Sequence, residues 1–116
     1  MNELPPIKAL RIAGQPLFSG GELRASHGIA IAFMQDPKTL HPFLDRHFCG
    51  DWGDLSDDDK QANEDALFDG SRIFSAYQVP ACHERERGPV KIWIITDAQD
   101  DDGNRENTCV LYPSEY

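Results

Sequence analysis

From Arg72 onward the chain alternates. Ile73, Ser75, Tyr77 and Val79 fall on one side of an extended segment and Phe74 and Ala76 on the other, the two-residue period of a half-buried strand. Residues 91–97 are apolar on both sides, as a central strand is, and residues 108–112 read as a third strand. The connections 80–89 and 98–107 are polar and turn-rich, so the three strands form an antiparallel meander.

The first half has a different period. Residues 7–12 and 17–25 read as one or two short strands, broken by Gly14, Pro16, Gly20 and Gly21. Residues 28–35 are apolar nearly all round and predict a short buried helix. Asp36-Pro37 is a helix start, Leu40, Phe43, Leu44, His47 and Phe48 share one helical face, and Gly50 ends the run. Ser56 is the N-cap of the clearest helix. Asp59 sits at its capping-box position, residues 57–59 place three acids in the first turn, and Gly70 closes it. Its apolar stripe (Ala62, Asn63, Ala66, Leu67) is thin, which suits a helix lying on a sheet. The expected architecture is α+β: two to three helices in the first half, packed on a three- to five-stranded antiparallel sheet. One domain spans residues 1–116, with residues 1–6 a loose terminus.

Composition narrows the function. The chain carries 20 Asp+Glu against 11 Lys+Arg, a net charge of −9, with 40% hydrophobic residues. The acidity is local: residues 51–70 hold eight acids against Lys60, and residues 97–106 hold five against Arg105. Lys and Arg clusters for phosphate-backbone binding are missing, so no direct nucleic-acid binding is expected. No run approaches the ~18 apolar residues of a membrane span. The opening Met-Asn-Glu-Leu-Pro-Pro lacks a signal-peptide pattern, and Cys49, Cys82 and Cys109 make an odd, unspaced set. Both features predict a cytoplasmic protein with reduced thiols.

Gly50-Asp51-Trp52-Gly53-Asp54 reads as a structural turn, with glycines for positive φ, aspartates for capping and Trp52 plugging the core. His47, Arg72, Tyr77 and Thr108, the polar residues nearest the sheet, match what a small metal-free ribonuclease of the barnase/RelE-like class would use as base and phosphate-stabilising groups. His47-x-Cys49 and Cys82-His83 lack the paired spacing of a zinc site, and residues 57–59 lack the ligand alternation of a calcium loop, so neither metal nor cofactor is expected.

The run His47-Phe-Cys-Gly-Asp-Trp-Gly-Asp-Leu55, followed by Asn63, Ala66-Leu67, Gly70, Arg72, Ser75, Tyr77, Lys91-Ile-Trp-Ile-Ile-Thr96 and Val110-Leu-Tyr-Pro-Ser-Glu-Tyr116, resembles a group of small plasmid- and prophage-borne bacterial proteins. Some of these are labelled plasmid-related and some modification subunits of type I restriction systems. The resemblance covers roughly the last seventy residues. It departs at residues 96–100, where the group often reads Thr-Glu-Ala-Asp-Arg and this chain has Thr-Asp-Ala-Gln-Asp. A chain of 116 residues with no Gly-rich nucleotide loop is too small for a methyltransferase cofactor fold. The resemblance implies a mobile genetic element. In that setting Asp57, Asp58, Glu64, Asp65 and Asp69, extended by Asp100, Asp101 and Asp102, are the expected binding residues. The expected partner is a host or defence-system protein with a basic surface, engaged in an anti-restriction or anti-CRISPR role or as nucleic-acid mimicry.

Overall fold

The computed structural model describes residues 8–33, 36–80 and 90–116. The elements run β1 (Glu22–Ala25), α1 (His27–Phe33), α2 (His41–Phe48), α3 (Asp57–Asp69), β2 (Ile73–Val79), β3 (Val90–Thr96) and β4 (Asn107–Leu111), with 3₁₀ turns at Pro37–Leu40 and Pro113–Glu115. This is the expected α+β architecture, with the helices before the meander.

The sheet order is β1-β4-β3-β2. β2, β3 and β4 pair antiparallel, with Ser75 opposite Ile94 and Ile94 opposite Val110. β1 corrects the wholly antiparallel expectation. It pairs parallel to β4, Leu23 opposite Thr108, so the sheet is mixed. Parallel neighbours need a long crossover, and here the crossover is most of the protein. Residues 8–12 correct the reading of a strand there. Leu10 and Ile12 are 83% and 53% exposed, while Arg11 reaches inward to a carboxylate on α3. A polar anchor, not a sheet ladder, holds this segment.

The core lies on one side of the sheet. Ile29 and Phe33 of α1, Leu40, and Phe43 and Leu44 of α2 pack on Tyr77, Val79, Ile92, Ile94 and Val110. A second cluster joins Trp52, Ala66 of α3 and Ile73. The expected continuous helix after Asp36 divides into a 3₁₀ turn and then α2. Pro42 has no N–H to donate and is tolerated only in a first turn, so the α-helix restarts at His41. The caps of α3 are as the sequence predicts, the Ser56 hydroxyl accepting the Asp59 N–H and Gly70 ending the helix at φ 82°, while its buried positions are Asn63, Glu64 and Ala66 and the expected Ala62 is exposed.

Candidate functional site

The acids gather along α3. At 100° per residue, Asp58, Asp65 and Asp69 share one stripe, and all three are exposed, as are Asp57 and Asp59. The first-turn acids also face the positive end of the helix dipole. Hydrogen bonds from the Ser71 side chain and from its N–H, the latter at 2.8 Å, hold the Asp69 carboxyl below the usual range. The helix ends where the second acidic segment begins: the Gln99 N–H donates to the Gly70 carbonyl at 2.8 Å. Asp100, Asp101 and Asp102 stand exposed in the turn that follows. The Asp100 carboxylate accepts the N–H groups of Asp102 and Asn104, and Gly103 completes the turn at φ 81°. Two acidic segments separated in sequence thus adjoin at the end of α3.

Arg105, absent from the sequence-based site, fastens that junction. Its guanidinium is buried and donates to three carbonyls, those of Ser71 (2.6 Å), Asp97 (2.9 Å) and Ala66 (3.0 Å). These carbonyls belong to the last turn of α3, the residue just past its end and the segment leading into the acidic turn. The only sequence signal was a lone cation among acids.

Glu64 corrects the expected binding set. It is 2% exposed, turned away from the acidic stripe. Arg11 donates to both its oxygens at 2.6 and 2.5 Å, Trp52 Nε1 donates at 2.6 Å, and the Ala9 N–H at 3.2 Å. Burial alone would raise this carboxyl, but the hydrogen bonds from Arg11 and Trp52 outweigh it and hold it below the usual range. A carboxylate with four donors is committed internally. It floors a cleft of about 830 Å³ rimmed by Asp51, Asp57, Asp58, Lys60 and Arg11.

The Gly50 to Asp54 turn seals the outer edge of β2. Ala76 N–H donates to the Trp52 carbonyl at 3.3 Å, and Asp54 N–H donates to the Ala76 carbonyl at 2.7 Å. Gly53 sits at φ 73° against β2, where a Cβ would run into the Ala76 carbonyl and the Tyr77 ring. Gly50 has φ 85°. Trp52 is 4% exposed. Asp51 pairs with Arg46 at 2.7 Å, which lowers its carboxyl, and its backbone carbonyl accepts the Tyr77 hydroxyl at 2.6 Å. Asp54 is exposed.

His47 lies at the centre of a fully buried polar chain. Its Nδ1 meets Ser75 Oγ at 2.5 Å, its Nε2 meets Thr96 Oγ1 at 2.8 Å, Thr96 meets Thr108 Oγ1 at 2.7 Å, and Thr108 meets the Gly20 carbonyl at 2.8 Å. The proton order follows from the far end. A carbonyl only accepts, so Thr108 donates to Gly20, Thr96 donates to Thr108, and Nε2–H of His47 donates to Thr96. Burial, reinforced by the Arg105 charge, lowers the imidazole to about 3, so it is neutral and Nδ1 accepts from Ser75. The chain resembles a nucleophile–base relay in connectivity, yet His47, Ser75, Thr96 and Thr108 are all 0% exposed. Tyr77 is 1% exposed, and burial raises its hydroxyl. Arg72 is exposed and donates to the Tyr116 hydroxyl at 2.7 Å. His47 and Thr108 therefore meet inside the core. Tyr77 is engaged by Asp51, and Arg72 stands among exposed groups, so the four share no open cleft among the described residues.

Cys49 and Cys109 are free thiols; Cys82 and His83 lie outside the described residues. No helix among the described residues is long and apolar enough to cross a membrane. Comparison with protein-family models, curated proteins and solved structures finds no match.

Proposed function

We propose that this chain is a non-enzymatic, acidic protein-binding module of a mobile genetic element. Its acidic band docks on the basic surface of a host or defence-system protein in place of nucleic acid. The observation that carries the reading is the Gln99–Gly70 hydrogen bond, which sets the Asp100 to Asp102 turn against the end of α3. From Asp57 to Asp69 the helix rises about 18 Å, so with the turn added the carboxylates extend over the length of several nucleotide steps. Such a band steers association with a cationic groove, and the steering weakens as salt rises. The binding set is Asp57, Asp58, Asp65, Asp69 and Asp100 to Asp102, without Glu64.

The test immobilises the wild-type protein and a variant with Asp57, Asp58, Asp65 and Asp69 changed to Asn, and passes a bacterial host lysate over both. The reading expects a basic, nucleic-acid-binding partner that the wild type captures, the variant loses and added duplex DNA displaces. Equal capture by a folded variant, or a captured partner that DNA does not displace, overturns it.

A further inference from the structure

The second face of the sheet bears no helix among the described residues, and it is not polar. Its positions are Phe74, Ala76 and Gln78 on β2 with Arg72 just before it, Lys91, Trp93 and Ile95 on β3 with Asp97 next in line, and Cys109 and Leu111 on β4; Ala76 and Leu111 are buried, and Phe74, Trp93, Ile95 and Cys109 are half-buried. An antiparallel sheet that faces water normally puts polar residues there. Phe74 and Trp93 instead meet edge-to-face at 5.0 Å between centroids, and Tyr116, 70% exposed, stands against Trp93 at 5.6 Å. A contiguous apolar patch rimmed by charge marks an interaction surface.

We infer that this face pairs with the same face of a second copy of the chain. The reason is self-complementarity. A two-fold contact requires that each residue's partner find it in return. Place the axis across the strands at the level of Ile94, with the sheets roughly aligned as packed sheets are. Lys91 of one copy then lies over Asp97 of the other and Trp93 over Ile95, each pairing occurring twice. Opposite charges meet at the ends of β3, and apolar groups meet between them. The face itself holds Arg24, Arg72 and Lys91 against Glu22 and Asp97. Four strands about 4.8 Å apart make a small interface, so the association is concentration-dependent rather than obligate.

Sedimentation equilibrium from about 10 to 500 µM tests this, over a range where small interfaces assemble. The wild type should move toward twice the monomer mass. Lys91→Asp and Asp97→Lys should each weaken association about tenfold by setting like charges together twice, and the double variant should regain most of the loss. Tyr116→Arg, at an exposed position, should also shift the protein toward monomer. Thermal unfolding confirms that each variant is folded. A wild type that stays monomeric throughout, dimers indifferent to Lys91 and Tyr116, or a double variant no better than the singles would each overturn the proposal. The first outcome would leave the face to a different protein.

Discussion

Asn63 of α3 hydrogen-bonds both backbone groups of Phe74 on β2: its Nδ2 donates to the Phe74 carbonyl at 2.5 Å, and its Oδ1 accepts the Phe74 N–H at 3.0 Å. A side-chain amide here takes the place of a neighbouring strand. Two residues further along, the Trp52 carbonyl and the Asp54 N–H do the same for Ala76. β2 is an edge strand in the sheet order, and these two devices cover the open hydrogen-bonding groups that would otherwise invite pairing with another chain.

Asn63→Ala should therefore cost about 2–4 kcal/mol, since it orphans a donor and an acceptor at once. Urea unfolding measures this. Asn63→Asp is the more discriminating change. It keeps the acceptor for the Phe74 N–H but sets a carboxyl oxygen against the Phe74 carbonyl, a contact satisfied only while that carboxyl carries its proton. Its folded-state pKa is thereby raised, so the variant should lose stability relative to wild type as pH rises through the acidic range. A loss relative to wild type that is the same at pH 4 and pH 7 would show that Asn63 does not pair with Phe74.

The Gly-Asp-Trp-Gly turn is the other half of that seal. Gly53→Ala should destabilise by about 2 kcal/mol or more, because the side chain both strains a positive φ and collides with β2. Trp52→Ala should cost about 3–5 kcal/mol, the range for a buried aromatic. Trp52→Phe should cost less, since it keeps the packing and gives up only the indole bond to Glu64. A loss below about 1 kcal/mol for Trp52→Ala would mean that the indole is not in the core.

The Arg11–Glu64 pair accounts for what sequence periodicity could and could not reach. The caps of α3, the alternation of β2 and the meander are local patterns, and Ser56, Gly70 and the Ile73 to Val79 series announced them directly. Glu64 gave the opposite signal, because a glutamate beside other acids on a helix reads as solvated. Its partners come from 53 and 12 residues away, and no local window contains them. The parallel pairing of β1 with β4 escaped for the same reason. His47 was placed correctly on the apolar face of its helix, while the groups that make it a core residue, Ser75 and Thr96, lie on strands 28 and 49 residues on.

Removing one member of the Arg11–Glu64 pair should cost more than removing both. Glu64→Gln leaves a guanidinium facing a neutral amide, and Arg11→Gln leaves a buried carboxylate with fewer donors, each by about 2–3 kcal/mol. The double variant should be less destabilised than the sum of the singles. A double-mutant cycle by chemical denaturation gives the coupling, and strict additivity would mean that the two side chains do not meet in solution.

Acid should unfold this protein early, through His47. The imidazole is neutral in the fold, lowered to about 3 by burial and the nearby Arg105, against 6.5 in the unfolded chain. Between those values the unfolded state holds a proton that the native state refuses, so lowering the pH favours unfolding. The contribution is complete above pH 6.5, falls steadily below it and levels off near pH 3, for a total of about 4–5 kcal/mol. Glu64 and Asp51, whose carboxyls are lowered by their arginine partners and hydrogen bonds, add their losses only below their ordinary values of 4.5 and 3.8. The window from pH 6.5 to 4.5 thus isolates His47, with an expected loss of about 2–3 kcal/mol. His47→Gln can still hydrogen-bond but cannot titrate. It should be less stable than wild type at pH 7, yet its stability should be flat across that window. If urea midpoints of the two proteins fall in parallel between pH 6.5 and 4.5, the histidine is not the buried neutral group that the Ser75–His47–Thr96 chain requires.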